Sequence, residues 1–162
     1  MKSTKTILLV LACISFITVI GGAVYEHLAV VPKWKQAPPA SLTMFQGEYG
    51  LDPGDFWQKI HPVTLVLLIA ALLANWKTGR RKFILISIAG YILALILTFV
   101  YFVPELLSII QAPFALVADK SMIARANMWE ILSLVRLVFI LVLAAILLFS
   151  LTKGNENRKT QQ

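Results

Sequence analysis

Residues 83–103 read FILISIAGYILALILTFVYFV, a run of 21 residues without a charged side chain. A transmembrane helix needs about 20 predominantly apolar residues, because each residue rises about 1.5 Å through a hydrocarbon core about 30 Å thick. Three further apolar runs lie at residues 6–31, 60–76 and 131–151. Together with their flanks, these runs predict four transmembrane helices, at about residues 6–31, 60–76, 83–110 and 122–151. The second run is the shortest and must borrow length from its flanks.

The composition of the chain indicates the same class of protein. Of its 162 residues, 59% are apolar and 14% are charged, and the mean hydropathy is +0.80. A soluble domain of this size does not need so large an apolar fraction. We therefore expect an all-α fold, an integral membrane four-helix bundle that residues 1–162 form as a single domain.

The first apolar run has an alternative interpretation as a signal peptide. Lys2 and Lys5 precede it, and the small residues 21–23 resemble a cleavage site. However, the apolar stretch continues to Val31, which is longer than a typical signal core. We interpret it as the first transmembrane helix.

Basic residues are unevenly distributed between the two ends of the predicted bundle. Nine lie on the side of the two termini, and five lie on the other side. The nine are Lys2, Lys5, Lys77, Arg80, Arg81, Lys82, Lys153, Arg158 and Lys159; the five are Lys33, Lys35, Lys59, Lys120 and Arg125. Short loops rich in Lys and Arg stay in the cytoplasm. This asymmetry predicts a multi-pass protein of the inner (plasma) membrane with both termini cytoplasmic and the loops at about 32–59 and 111–130 outside.

The formal charge of +7 is explained by these residues at the helix ends. They form no separate basic domain, so they favour contact with anionic membrane lipid and give no indication of a nucleic-acid partner.

Ionisable residues gather near the outer ends of the four helices. Residues three, four or seven apart share a helix face, and each of the first three helices then has one small or polar stripe. The predicted inward stripes are Ser15, Thr18, Gly22, Glu26 and Ala29; His61, Thr64, Leu68, Ala71 and Asn75; and Ser87, Tyr91, Ala94, Thr98, Tyr101, Glu105 and Ser108. Close helix packing is one explanation of the small residues. The ionisable residues need another.

Arg136 lies among apolar neighbours in the fourth helix, where an unpaired charge is costly. We predict that a carboxylate pairs with it, and Glu26 and Glu105 are the two candidates on inward stripes. Glu130 lies on another face of the fourth helix and is predicted at the rim. His61 precedes Pro62, which suits a first helical turn, so His61 is predicted at the mouth of the bundle. His27 is predicted to face a loop.

Three kinds of site are compatible with this cluster. Glu26, His61 and Glu105 form a ligand set that suits iron or manganese, but the Glu-x-x-His pairs of di-iron bundles are absent. A general acid/base site needs only a His and a carboxylate within hydrogen-bond reach, and it fits better. A passive pocket for a lipid or hydrophobic small molecule also remains possible. A Gly-rich phosphate loop and a paired intramembrane His arrangement are both missing, so we expect no cofactor and no metal.

Aromatic residues surround the predicted site. The outer loop contains Trp34, Phe45, Tyr49, Phe56 and Trp57, which either form an interfacial belt or belong to a lid over the bundle mouth. A lid of this kind would hold a flat hydrophobic ligand that arrives through the outer leaflet. The candidate substrate-binding residues are Tyr25, Trp57, Tyr101 and Trp129.

Four short motifs resemble the anthrone-oxygenase-like family of four-helix membrane proteins. They are GGAVYEHLAVVPKW at residues 21–34, FWQKIHP at 56–62, FVPELL at 102–107 and WEILSLVR at 129–136. The resemblance covers most of residues 15–150. It implies a four-helix bundle and, as in the characterised fungal members, cofactor-independent oxidation of an anthrone by molecular oxygen to an anthraquinone.

If the protein acts like this family, we expect His61 or Glu26 to remove a proton from an activated C–H or a phenol. Arg136 would stabilise the developing oxyanion, since fixed charges do so effectively in water-poor sites. Together with Glu105, these residues are the predicted catalytic group. The alternative is a membrane protein without catalysis that binds a lipid or quinone or assists a partner complex.

The distribution of basic residues generates a prediction of topology. A reporter fused after Gln162 should report a cytoplasmic location, and a Cys introduced at Gln46 should react with an impermeant thiol reagent added outside. Labelling of the Gln46→Cys protein only after permeabilisation would reverse the topology and move the site to the cytoplasmic side.

Overall fold

The computed structural model describes residues 2–153 and shows an all-helical protein, with no β-strand in that part of the chain. Four helical spans are long and apolar enough to cross a membrane: span 1, Thr4–Trp34; span 2, Gly54–Ala74; span 3, Arg81–Ile110; and span 4, Lys120–Thr152. The prediction of an all-α protein with four membrane-length helices is confirmed. Arg158 and Lys159, which entered the charge argument, lie outside the described residues.

Spans 1 and 3 each contain a π-helical segment. In span 1 the α-helix Lys2–Tyr25 passes into the π segment Glu26–Val30 and then into Val31–Trp34. In span 3, Arg81–Leu97 passes into Thr98–Phe102 and then Val103–Ile110.

Each π segment ends two residues before a proline, Pro32 in span 1 and Pro104 in span 3. Proline has no N–H and its ring clashes with the carbonyl four residues earlier, so the helix must adjust there. A π turn includes one extra residue, and the helix beyond it presents a shifted set of side chains.

Span 2 begins six residues earlier than predicted, at Gly54 instead of residue 60. The Asp52 carboxylate accepts a hydrogen bond of 2.7 Å from the Gly54 amide and so satisfies one of the free donors at the helix start. Pro62 is therefore inside the helix, and the prediction that it occupies the first turn is wrong. At 1.5 Å per residue, His61 lies about 10 Å along the helix from Gly54.

Span 4 also starts after a carboxylate. The Asp119 side chain accepts hydrogen bonds from the backbone amides of Ser121 and Met122. Hydrogen bonds, those from Ser121 first, lower the pKa of the Asp119 carboxyl group. Such a cap defines the helix start, as expected for Asp at this position.

The four spans form a ring in the order 1, 2, 3 and 4. Span 1 packs closely along span 2 and also contacts span 4, and span 3 packs along span 4. The remaining pair, spans 2 and 3, is the loosest contact of the ring. We call the end that carries residues 35–53 and 111–119 the loop end, and the opposite end, with residue 4, the turn at 75–80 and residue 153, the terminal end.

Two clusters of buried residues form the core. The first fills the half of the bundle near the terminal end and includes Phe16 and Tyr91, whose rings meet edge to face at 4.9 Å. The second lies at the loop end, where Leu42 of the short helix Ala40–Phe45 packs with Trp34, Phe102 and Trp129. The loop thus folds down onto the bundle.

Arg80 holds the terminal end together. Its side chain is buried, and it donates hydrogen bonds to the Lys153 carbonyl at 3.1 Å and to the Thr6 hydroxyl at 3.0 Å. The buried Asn75 amide donates to the Lys5 carbonyl at 3.1 Å. Both residues connect the turn between spans 2 and 3 to other spans.

Close packing of spans 3 and 4 at Gly90 generates a second prediction. A Cβ on Gly90 would lie 2.6 Å from a methyl group of Leu143, which is buried and has little room to move. Gly90→Val should therefore destabilise the bundle by about 1–3 kcal/mol, the usual cost of overpacking. The measurement is loss of helical circular dichroism on titration with SDS. Gly21→Val is the matched control, because nothing lies within 4 Å of a Cβ there. Equal stability of the two variants would contradict the packing argument.

Candidate functional site

A cavity of about 570 Å³ lies between the two core clusters and receives residues from all four spans. Most of its lining is apolar. The polar and aromatic groups within it are Glu26, Trp57, His61, Tyr91, Thr98, Phe99, Phe102, Trp129, Ser133 and Arg136, and Asp52 and Gln58 line it toward the loop end. Five of the eight residues predicted to form the site therefore line one cavity: Glu26, His61, Arg136, Trp57 and Trp129.

Arg136 is bound by neutral groups. Its guanidinium donates to the Thr98 hydroxyl at 2.7 Å and to the Ser133 hydroxyl at 3.0 Å, and it lies 4.0 Å above the Phe102 ring. The three ion pairs within residues 2–153 do not include Arg136. The predicted direct pairing with Glu26 or Glu105 is therefore not found.

The reason is that hydroxyl groups, and not carboxylates, accept the hydrogen bonds of the Arg136 guanidinium. Thr98 begins the π segment of span 3, and Ser133 lies one turn before Arg136 in span 4. The charge is stabilised by two hydrogen bonds and a cation–π contact, while Glu26 lies in the same cavity without touching it.

Glu26 occupies the first position of the π segment of span 1 and accepts a hydrogen bond from the Trp57 indole at 3.1 Å. The Trp57 ring also stacks on the His61 imidazole, with centroids 5.3 Å apart. Trp57 thereby fixes the carboxylate and the imidazole relative to each other. Since the two groups come from different spans, the site depends on the close packing of spans 1 and 2.

His61 is bonded to a buried tyrosine. Its Nδ1 lies 2.7 Å from the Tyr91 hydroxyl, and one of the two atoms donates to the other. Tyr91 is fully buried in span 3. The pair links spans 2 and 3 at the base of the cavity and gives the imidazole a fixed orientation, as a general base requires.

Glu105 lies outside the cavity. Its carboxylate accepts a hydrogen bond of 2.7 Å from Arg125 near the surface of the loop end, where Arg125 also donates to Ser108. Tyr101 does not line the cavity either, and it packs on the loop-end core. The inward stripe predicted for span 3 is therefore wrong beyond Thr98.

The π segment explains this error. Its extra residue moves the inward series on by one position, so that Phe102 and Leu106 face the cavity where Tyr101 and Glu105 were predicted. In span 1, Val19 and Ala23 line the cavity, while Thr18 and Ala29 are exposed. Tyr25 is 65% exposed and lies away from the site.

Two further ionisable groups near the loop end, Glu130 and His27, contact protein groups outside the cavity. Glu130 pairs with Lys35 at the rim, as its predicted position suggested. The His27 Nδ1 lies 3.0 Å from the Ala23 carbonyl of its own helix, and its ring stacks on Trp129 of span 4 at 6.3 Å. His27 therefore does not line the cavity, but it packs against another span and not against a loop as predicted.

Sequence reasoning missed three contributors to the site. Tyr91 was placed on an inward stripe without a role, and Ser133 and Phe102 were not considered. Ser133 lies three residues before Arg136 in the same helix, and this spacing predicts a contact between the two side chains. Within residues 2–153 no three His, Cys, Asp or Glu side chains are grouped as a metal site would need, since Glu105 is remote from Glu26 and His61.

Searches of protein-family models, curated proteins and solved structures find no match to this chain.

The contact between Thr98 and Arg136 generates a third prediction. Thr98→Val removes one hydroxyl acceptor from the Arg136 guanidinium, and it should cost about 1.5–3 kcal/mol of folding free energy, the range for hydrogen bonds to charged groups. Thr18→Val is the matched control, because both hydroxyls also bond the carbonyl four residues earlier and only Thr98 contacts Arg136. Unfolding in SDS measures the stability of both variants. Equal losses would mean that the Arg136 contact adds nothing to stability.

Proposed function

We propose that the protein is a cofactor-independent oxidoreductase of the plasma membrane that acts on a hydrophobic, aromatic or quinone-like small molecule in the cavity, with the loop end facing outward. One observation carries the proposal: Glu26, His61 and Arg136, from three different spans, line one largely apolar cavity. Ionisable side chains are rare at membrane depth and are usually functional when present.

The cavity suits a ligand of this class. Its volume of about 570 Å³ lies within the range of roughly 300–1,000 Å³ that is common for small-molecule sites. Trp57, Phe99, Phe102 and Trp129 contribute aromatic walls. Aromatic surfaces of this kind favour a flat ring system, and the few polar groups would orient it.

The chemistry begins with proton removal. His61, oriented by Tyr91, takes a proton from an activated methylene or phenol of the substrate, with Glu26 as the second candidate base. The negative charge then develops on an oxygen conjugated with that centre. Arg136 stabilises it, because a fixed cation in a water-poor site needs no reorganisation during the reaction.

Molecular oxygen is the oxidant. The substrate carbanion forms a C–O bond with O₂, the proton returns to give a hydroperoxide, and loss of water leaves a carbonyl, so that R₂CH₂ + O₂ becomes R₂C=O + H₂O. No other electron carrier is required. The resemblance of residues 21–34, 56–62, 102–107 and 129–136 to the anthrone-oxygenase-like family supports this reaction type by analogy.

A second candidate is binding without chemistry, either of a lipid or of a quinone, or in support of a partner complex. Its support is that Glu26, His61 and Arg136 each already hold a protein partner. A pocket that only binds a ligand requires polar side chains fixed by protein partners in this way, and it does not require a free general base.

A turnover assay separates the two candidates. Purified protein in liposomes is given anthrone, and oxygen uptake and anthraquinone formation are recorded. His61→Gln and Glu26→Gln keep hydrogen-bonding groups for Tyr91 and Trp57 but remove the basic groups. At least one of them should lower the rate by about 100-fold or more, the usual contribution of general acid–base catalysis.

Glu48→Gln is the matched control, since Glu48 is an exposed loop carboxylate that does not line the cavity. Absence of oxygen uptake, together with saturable binding of decylubiquinone, would favour the passive candidate. Wild-type turnover by both the His61→Gln and Glu26→Gln proteins would overturn the proposed mechanism.

A further inference from the structure

The wall of the cavity is incomplete between spans 2 and 3. Spans 1 and 2 pack along each other, as do spans 3 and 4, but the part of span 3 at residues 98–110 makes little contact with span 2. Both spans nevertheless line the cavity there, span 2 with Trp57, His61 and Pro62 and span 3 with Phe99 and Val103. The space that separates these two spans is therefore part of the cavity itself.

The edges of this gap are apolar and exposed. Phe99 is 66% exposed and Val103 is 36% exposed, although both line the cavity, and Pro62 of span 2, which also lines it, is exposed as well. Phe99 and Val103 lie 18 and 22 residues beyond the first residue of span 3, about 27 and 33 Å along it at 1.5 Å per residue. In a hydrocarbon core about 30 Å thick they lie in the outer part of the leaflet at the loop end. Side chains that face lipid on one side and the cavity on the other mark an opening between the two.

The helix geometry explains why the gap exists. The π segment Thr98–Phe102 and Pro104 alter the course of span 3 at this level, and Pro62 interrupts the hydrogen-bond ladder of span 2 opposite. Helix bends in membranes have such causes. The His61 to Tyr91 contact closes the gap on the side of the terminal end.

The alternative route runs from water past the outer loop. The loop is held down by the bond from the Asp119 amide to the Pro38 carbonyl at 2.8 Å and by the buried Leu42. A polar recess of about 430 Å³, lined by Gln46, Asp52 and Gln111 among others, shares Asp52 and Pro53 with the lining of the cavity. This recess is the aqueous alternative to entry from lipid.

We propose that the cavity takes its ligand sideways from the lipid leaflet at the loop end, through the gap between Pro62 of span 2 and Phe99 and Val103 of span 3. The ligand class is a lipid-soluble, uncharged molecule with a flat ring, which concentrates in the leaflet and loses no hydration on entry. The identity of this ligand class rests on the proposed function; the opening to lipid does not.

The first test needs no ligand. The chain has four tryptophans. Trp34, which is buried beside Trp129, remains in every variant and contributes a constant background. Trp76 lies at the terminal end and is replaced in the Trp76→Phe variant, in which Trp57 and Trp129 report from the cavity.

The fluorescence of this variant is measured in bilayers of 9,10-dibrominated phosphatidylcholine. Bromine quenches only at short range, so chains that enter the gap should quench Trp57 and Trp129. Adding Val103→Phe should reduce the quenching, and adding Val100→Phe should not.

Val100 is the matched control because it lies three residues before Val103 in span 3, is 73% exposed and does not line the cavity. Equal quenching in the three proteins would mean that lipid does not enter between spans 2 and 3, and the proposal would be wrong.

The second test uses decylubiquinone and its water-soluble analogue with the same ring, ubiquinone-0. Stopped-flow quenching of tryptophan gives the association and dissociation rates in liposomes. Val103→Phe should slow both rates for decylubiquinone by about 10-fold or more, as expected when access requires a conformational change, and leave its Kd nearly unchanged. Gln111→Arg, at the aqueous recess and outside the lining of the cavity, should leave both rates unchanged.

The outcomes separate the two proposals. If neither quinone quenches the tryptophan fluorescence of the wild-type protein, the proposed ligand class is wrong. The brominated-lipid experiment still tests independently whether lipid enters the gap. If decylubiquinone binds and Gln111→Arg slows its binding while Val103→Phe does not, entry is from water and the lateral route is overturned.

Discussion

A hydrocarbon core offers no water to an amide, a carbonyl or a charged side chain, and this constraint shapes every part of the described protein. The backbone satisfies itself within four helices. The guanidinium of Arg136 finds Thr98, Ser133 and the Phe102 ring inside the bundle. These contacts bring spans 3 and 4 together at the level of the cavity, so the position of one charge organises half of the site.

Packing and function compete in the same region. The bundle is closely packed near the terminal end, where Gly90 admits Leu143, and it is open near the loop end, where the cavity lies. Both π segments occur at the cavity, and each contributes a polar residue at its first position, Glu26 or Thr98. A π turn is less favourable than a regular helix and is common at functional sites. Two of them at one depth indicate that stability has been given up there for side-chain placement.

The sequence was sufficient for the architecture and for part of the site. Length, hydropathy and helical periodicity correctly predicted four spans and the inward stripe of span 2 from His61 to Asn75, where the helix is regular. They failed beyond Glu26 and Thr98, because a period of 3.6 residues does not hold through a π turn. Glu105 was therefore assigned inward, whereas its partner is Arg125. Thr18, which is exposed although predicted inward, lies before the π segment of span 1, and the π turn does not explain it. The hydroxyl partners of Arg136 were missed because electrostatic reasoning looks first for a carboxylate.

The bonds of Arg80 have a consequence for biogenesis. Its guanidinium joins Thr6, 74 residues earlier, and the carbonyl of Lys153, 73 residues later. During synthesis from the N-terminus, Thr6 and Arg80 are both present once the first half of the chain has entered the membrane, whereas the Lys153 carbonyl is made only after the fourth span. The hydrogen bond from Arg80 to Lys153 therefore forms as a late step of assembly, and a nascent chain that stops before residue 153 lacks one of the contacts that hold the terminal end together.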